Sequence, residues 1–267
     1  MAESPSAVDI PQEEELELMA AFPDLPSQCW QLASLCDRLV RTLDTDLFSK
    51  RRPVDTHLQQ AMVLIATKAR DDARGAVKLA KAGYGPQAAG LSRSLVEAGI
   101  NSEYILGDPE KRGGAFLESI NEENARLAKR LSPHGAPEGF EEAIKEAQQI
   151  QQKSGWPRNL SERAYAVSKP SYAYDVVFFM LSQLLHSSVS SMAGRLREGQ
   201  PGAWDLQYDR GPQWVDTALA TVFMFLYAVA KSAYTTFGLE MTKLDTMWND
   251  FLLLQEAEKA RQTAGSR

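Results

Sequence analysis

Apolar residues recur at helical spacing along almost the whole chain, and strand-like alternation of apolar and polar residues is absent. Glycine and proline interrupt this pattern at intervals, which marks the ends of the predicted helices. Single helices are predicted over 27–48, 55–82, 86–106, 160–167, 171–197, 212–237 and 240–256. Residues 115–131 and 138–153 are predicted to form an antiparallel helical hairpin. The sequence therefore predicts an all-α fold.

The predicted helices form one bundle over residues 27–256, with an acidic arm at 1–26 and a polar tail at 257–267. The helix over 86–106 is apolar on two faces and rich in alanine and glycine, so a neighbouring helix can approach it closely. The first half of the helix over 171–197 is apolar on nearly every side. We expect these two helices to be neighbours at the centre of the bundle. The charged hairpin is expected at its periphery.

A line of polar residues interrupts the second of these helices. Asp175, Ser182 and His186 recur at i, i+7 and i+11, which places them on one side of a regular helix. Each needs a partner if buried, because an unpaired buried polar group costs about 1–3 kcal/mol. Arg93 and Glu97 lie four residues apart on the other central helix, so packing of the two helices would bring Arg93, Glu97 and His186 together.

This polar cluster allows two interpretations. If the cluster belongs to the core, His186 would form hydrogen bonds with the polar groups around it, and the variant His186→Ala would be less stable than the wild type. As part of a site, the same variant would keep its stability and lose ligand binding. A histidine within an apolar helix more often belongs to the core, and an Arg–Glu pair at i, i+4 is often a surface ion pair.

Composition narrows the classes of function. The net charge of −6 argues against a broad nucleic-acid-binding surface. Cys29 and Cys36 share one predicted helix, about 10 Å apart and beyond disulfide reach, which indicates a reduced, cytoplasmic protein. The N-terminus lacks the basic and apolar segments of a secretory signal. The longest apolar run, 218–230, is shorter than the roughly 20 residues of a membrane span, so no transmembrane segment is predicted.

The common catalytic and cofactor motifs are missing from the sequence. There is no glycine-rich phosphate loop, no Gly-x-Ser-x-Gly and no Cys-x-x-Cys. The histidines His57, His134 and His186 have no glutamate three residues before them, which excludes the paired Glu-x-x-His motifs of a carboxylate-bridged metal site. We therefore expect neither a metal nor a cofactor.

Two strings of residues resemble a known family. The first is the string Arg93-Ser-Leu-Val-Glu97-Ala-Gly-Ile-Asn-Ser-Glu-Tyr104-Ile, and the second is Trp156 followed by Tyr174, Ser182 and His186. Together they resemble the signatures of a bacterial family catalogued as domain of unknown function 5677, over roughly residues 55–195. Phe178 stands where a second tyrosine is expected, which puts the role of that position in doubt. The resemblance implies a helical fold in which the Arg–Glu helix pairs with the Ser–His helix, and it implies no settled activity.

These observations support a non-enzymatic module that binds a small ligand or a protein partner. Its binding residues would be Arg93, Glu97, Tyr104, Asp175, Ser182 and His186. A setting in bacterial stress or phage defence is a hypothesis about its cellular role. If the cluster is catalytic, the candidate catalytic residues are His186, Arg93 and Glu97.

A looser resemblance supports an alternative function. Arg51 and His57 have the spacing found in helical nucleotide-binding domains of higher eukaryotes and prokaryotes, many of which are metal-independent ribonucleases. This resemblance implies that His57 acts as general acid or base, that Arg51 holds the phosphate, and that RNA is the partner. Such a site would lie in the groove of a homodimer. An exposed His57 would favour this alternative, and a buried cluster around Arg93 and Glu97 would favour the binding module.

Overall fold

The computed structural model of the chain describes residues 24–48, 57–131, 145, 154–185, 196–198, 204–206 and 214–265. Its α-helices are α1 (Leu25–Phe48), α2 (His57–Lys81), α3 (Gly85–Leu106), α4 (Pro109–Leu131), α5 (Leu160–Val167), α6 (Phe179–Leu185), α7 (Val215–Phe237) and α8 (Thr242–Gly265). A π-helix, Ala173–Phe178, leads directly into α6. Two short antiparallel strands, β1 (Leu196–Glu198) and β2 (Trp204–Leu206), pair through Leu196↔Leu206 and Glu198↔Trp204. The all-α prediction is confirmed, and this small hairpin is its one addition among the described residues.

Helix α7 lies at the centre and packs against α1, α2 and α3. Its apolar residues cover more than one face, and Leu219, Val222, Phe223 and Leu226 are fully enclosed. Among the described residues, α7 is the single helix that could cross a membrane by length and composition, and 67% of its apolar window is buried in the bundle. That burial identifies α7 as a core helix.

Small residues set the close spacing around this core. The inner face of α2 is lined by alanines, among them Ala61, Ala69 and Ala76, all fully buried. On α3, a Cβ atom at Gly99 would come within 2.8 Å of the Phe225 ring of α7. The expected close approach to α3 is therefore confirmed. Gly83, at φ +77°, ends α2 in the left-handed conformation, and Tyr84 N donates to Leu79 O across the turn.

The structure differs most from the prediction in the segment 171–197, which was predicted to be one regular helix. It was expected to be buried at the centre, but Tyr172 and Phe179 are 68% and 61% exposed, while Val177 and Leu181 are buried. The regular helix is also replaced by a π-helix at 173–178, and residues 196–198 are strand instead of helix. The apolar composition of this segment did not distinguish it from α7, which takes the central position.

Several boundaries also differ. Helix α1 begins at Leu25, inside the predicted arm, and Leu25 is buried. Helix α4 begins at Pro109, six residues before the predicted start of the hairpin. Helix α8 continues to Gly265, nine residues beyond the predicted end of this helix at 256. The second hairpin arm, 138–153, lies outside the described residues except for Lys145.

Candidate functional site

One face of α3 carries a polar stripe that crosses the edge of the bundle. Arg93, Glu97, Asn101 and Tyr104 lie at intervals of four, four and three residues, so they point to the same side of the helix. This side packs against the π-helix, α5 and α6, and against the segment 154–159. The stripe therefore meets parts of the chain that are distant in sequence.

At one end of the stripe, Arg93 connects α3 to α6. Its Nε donates a hydrogen bond to Ser182 Oγ at 2.8 Å, and its guanidinium carbon lies 4.2 Å from the centre of the Phe178 ring. Ser182 Oγ in turn donates to Phe178 O at 2.7 Å. The predicted contact between the Arg93 helix and the helix of Ser182 is confirmed. Phe178 supplies an aromatic face to the Arg93 cation, a role that needs no hydroxyl.

Aromatic rings continue from Phe178 towards α5. Tyr174 stacks on Phe178 with ring centres 5.4 Å apart, and Tyr165 meets Tyr174 edge to face at 5.8 Å. The Tyr165 hydroxyl donates to Asp175 Oδ1 at 2.5 Å, and this hydrogen bond is the main reason that the pKa of Tyr165 is raised. Asp175 Oδ2 accepts from Ser171 N at 3.0 Å. Asp175 therefore stabilises the start of the π-helix. It hydrogen-bonds to Tyr165 and Ser171, whereas Ser182 hydrogen-bonds to Arg93 and Phe178.

Glu97 pairs with Arg163 of α5, a residue that the sequence analysis did not single out. Arg163 Nη2 lies 3.3 Å from Glu97 Oε1, and Arg163 Nη1 donates to Pro157 O at 2.7 Å. Arg163 is only 5% exposed, and its guanidinium carbon lies 5.1 Å from the centre of the Trp156 ring. Burial lowers the pKa of Arg163, while the carboxylates of Glu97 and Glu123 oppose that shift. The sequence signal that could have identified Arg163 is its position three residues after Leu160, which places both residues on the same side of a short helix.

Tyr104 closes the other end of the stripe. Its ring meets Trp156 edge to face, with ring centres 5.2 Å apart, and Trp156 meets Phe116 of α4 in the same way at 5.2 Å. The Arg112 guanidinium carbon lies 3.9 Å from the centre of the Tyr104 ring, and Arg112 Nη1 donates to Tyr104 O at 2.7 Å. Tyr104 thus holds Trp156 and the start of α4 against α3.

A pocket of about 510 Å³ opens beside the stripe, where α2, α3, α4 and α5 meet. Glu97, Asn101, Trp156 and Arg163 line it together with residues of α2 and α4. The α2 and α4 residues of the lining are Leu64, Ile65, Lys68, Phe116, Ser119, Ile120 and Glu123. Two of the lining residues each carry a buried polar atom, Asn101 Oδ1 and Arg163 Nε, for which the described part of the chain offers no hydrogen-bond partner.

His57 begins α2 and is exposed. It lines a second pocket of about 380 Å³ with Tyr104, Lys111 and Arg112. Arg51, His134 and His186 lie outside the described residues. The predicted meeting of His186 with Arg93 and Glu97, and that of Arg51 with His57, therefore stay predictions. In the described part of the chain, no group of three or more histidine, cysteine, aspartate or glutamate residues could hold a metal ion.

Comparison with known proteins places this site within a family. The model of the family of unknown function DUF5677 matches residues 59–203, more than half of the 267 residues. The chain belongs to the DUF5677 family. The match covers nearly all of α2, then α3 to α6 and β1, so the stripe, its partners and the pocket all lie within the DUF5677 region. Neither the curated proteins nor the solved structures contain a significant match to the chain.

Proposed function

We propose that this DUF5677 protein is a non-enzymatic module that binds a small ligand in the pocket beside Glu97. The single observation that carries the proposal is the pocket itself, in which the polar side chains of Glu97, Asn101 and Arg163 meet the rings of Phe116 and Trp156. Asn101 is 9% exposed and Arg163 is 5% exposed. Apolar and aromatic walls around a few convergent polar groups are typical of small-ligand sites.

The energetics favour a site over a purely structural role at this position. Leaving a buried polar atom unpaired costs about 1–3 kcal/mol, so an apolar side chain at position 101 would give a more stable bundle. A ligand bound in the pocket would stabilise the folded state in proportion to its occupancy. By contrast, Arg93 has its contacts with Ser182 and Phe178, which supports a structural role at the other end of the stripe.

The test is a thermal-shift screen of the full chain against amino acids, organic acids, sugars, nucleosides and nucleotides. A compound present at about 100 times its Kd should raise the melting temperature by about 5–10 °C. Asn101→Leu should melt at the same or a higher temperature and lose this response. Ser102→Ala is the matched control, because Ser102 is buried on the same helix and donates to Gly99 O, away from the pocket.

Two results would contradict the binding module. One is a response to the same compound that survives in Asn101→Leu. The other is a loss of several degrees in Asn101→Leu without ligand, which would mean that Asn101 stabilises the fold. Ile120→Trp gives an independent check, because Ile120 is exposed at the pocket wall and a larger ring there would obstruct entry without disturbing the core.

The ribonuclease alternative has one observation in its favour. His57 is exposed and shares a pocket with Lys111 and Arg112, so an acid–base group and two cations face the same space. The carboxylates of Asp108, Glu110 and Glu118 line the same pocket and would repel a phosphate backbone. We therefore rank this function second.

Cleavage of a fluorescent single-stranded RNA in the presence of EDTA tests this alternative. If it is correct, His57→Ala loses cleavage by about 100-fold or more. Lys78→Ala, at the other end of α2, should cleave as the wild type does. No cleavage above a denatured-protein control would exclude the alternative for this chain.

A further inference from the structure

We propose that a second copy of this chain docks in a groove between α3 and α7, related to the first copy by a two-fold axis that runs along the groove. The groove has a volume of about 400 Å³, and Trp248 of α8 borders it. Glu103 on α3 and Lys231 on α7 are the two charged side chains of its lining. Glu103 follows Glu97 by six residues, so the groove and the pocket beside Glu97 lie on different sides of α3, and the interface is independent of the proposed function.

The two helices of the groove run side by side in the same direction. Ser92 Oγ donates to Ala218 O at 3.3 Å, and seven residues further along each helix a Cβ atom at Gly99 would meet the Phe225 ring. The two contacts have the same separation in sequence, 126 residues. A residue of α3 therefore lies level with the residue of α7 that is 126 positions later in the chain.

This parallel arrangement makes the groove complementary to its own copy. A two-fold axis along the groove packs α3 of one subunit against α7 of the other, and residues at the same level face each other across the interface. The position level with Glu103 is 229, two residues before Lys231, which is about 3 Å along the helix axis. Each Glu103 carboxylate would therefore meet Lys231 of the partner subunit, and each Lys231 would meet the partner's Glu103.

Both charges are available for such contacts. Glu103 and Lys231 are exposed, and neither forms an ion pair with another of the described residues. Although Glu103 is exposed as a residue, its carboxylate is partly buried against the groove, which raises its pKa, while the nearby Lys231 opposes that shift. A partner surface with a single sign of charge would be repelled by Glu103 or by Lys231, so the charges favour a second copy.

The walls of the groove are apolar and allow close packing. Leu106, Met224 and Phe225 are half-buried, so part of their apolar surface still faces water in the single chain. Ala228 lies four residues after Met224 and three before Lys231, on the same side of α7, and its small side chain lets a partner helix approach. Burial of this surface by the second copy would supply the hydrophobic part of the association.

Sedimentation velocity of the full chain, over concentrations of about 1–200 µM, tests the interface. The wild type should associate to twice the mass of the single chain as the concentration rises. Glu103→Lys and Lys231→Glu should each raise the dimer Kd by about 10-fold or more, because each creates two like-charge contacts in a two-fold interface. The double variant Glu103→Lys/Lys231→Glu restores opposite charges, so its Kd should lie within about 3-fold of the wild-type value.

Two further variants separate the groove from the rest of the surface. Ala228→Arg should keep the chain monomeric, because it places a long charged side chain in the middle of the groove. Lys78→Glu is the matched charge reversal, since Lys78 is exposed in the last turn of α2, outside the groove, and it should associate as the wild type does. Circular dichroism should show the same helical content in every variant.

Three results would overturn the inference. A wild type that stays monomeric at about 200 µM would have no such interface. A double charge variant that associates as weakly as the single variants would show that Glu103 and Lys231 do not face each other across the dimer. A dimer that survives in Ala228→Arg and is lost in Phe179→Ser would assign the interface to the exposed rings of Tyr172 and Phe179 instead.

Discussion

Arg93 and Arg163 show how two cations of the same type acquire different roles through their surroundings. Arg93 is held by Ser182 Oγ and by the face of Phe178, so its contacts join two helices. Arg163 is more deeply buried, pairs with Glu97 and donates to Pro157 O, and its Nε has no hydrogen-bond partner among the described residues. Arg93 therefore joins two helices, whereas Arg163 borders the candidate pocket.

The two cysteines of α1 provide a prediction at this scale. Both are fully buried, and Cys29 Sγ donates to Leu219 O at 3.4 Å. Burial raises the pKa of the Cys36 thiol to about 12, with Arg70 and Arg74 opposing the shift, and burial also raises the pKa of Cys29. We expect no reaction of either thiol with iodoacetamide at pH 8 in the folded protein, and reaction of both in urea.

The same shift predicts how stability depends on pH. The folded state keeps its Cys36 proton at a pH where the unfolded chain, with a thiol pKa of about 8.5, has lost it. The contribution to stability is therefore complete below about pH 8.5 and is lost as the pH rises towards 12. Urea denaturation of wild type and Cys36→Ala should show a smaller decline above pH 9 in the variant. Equal slopes would contradict the prediction.

At the scale of elements, the position of α4 depends on a close approach to the start of α2. A Cβ atom at Gly113 would lie 2.8 Å from Leu58 N and 2.9 Å from Leu58 Cα, so backbone would meet backbone. At Gly114, the nearest atom would be His57 Nδ1 at 3.1 Å, in a side chain that can rotate. The two neighbouring glycines therefore face different constraints, although both are helical.

Alanine substitutions at these positions form a matched pair. Alanine is favoured over glycine within a helix by about 1 kcal/mol, so Gly114→Ala should be neutral or stabilising. Gly113→Ala should destabilise by about 1–3 kcal/mol, because α4 must move away from α2. Urea denaturation of both variants measures the difference. Equal stability of the two would mean that the α2–α4 contact is looser than the distances indicate.

At the scale of the whole molecule, the ends of the chain differ in what they contribute to the core. Leu25, Cys29 and Leu32 of α1 are buried against the bundle, whereas Leu252, Leu253 and Glu256 near the end of α8 are exposed. The boundaries of the bundle, predicted as 27 and 256, stay a prediction. The burial of Leu25 supports a start slightly earlier in the chain.

Truncation tests these boundaries. Removing residues 1–23 or residues 257–267 should change the melting temperature by no more than about 2 °C, since the buried part of α1 and the contacts of Leu244, Met247 and Phe251 are kept. Removing residues 1–30 should lower it by about 5 °C or more, because Leu25 and Cys29 are lost from the core. A large loss in either of the first two would show that an end of the chain docks on the bundle.

The sequence by itself determined the helical class and most helix positions. These properties depend on the 3.6-residue period and on glycine and proline near helix ends, which are local. Helix α5, for example, begins and ends where the pattern predicted, at Leu160 and Val167. The pairing of the Arg93 helix with the Ser182 helix was predicted from the apolar faces of both helices and is also implied by the family resemblance, and the contact confirms it.

Only the tertiary structure decided which of two apolar helices lies at the centre and where the candidate site is. Composition could not separate residues 171–185 from α7, because burial depends on which surfaces are available to cover a helix, and α7 is enclosed by α1, α2 and α3. Asp175 lies in a π-helix, so it does not follow the regular helical spacing that the prediction assumed. Glu97 pairs with Arg163, which is 66 residues away in the sequence. Such contacts, and the pocket that Asn101 and Arg163 line, depend on how distant segments of the chain pack.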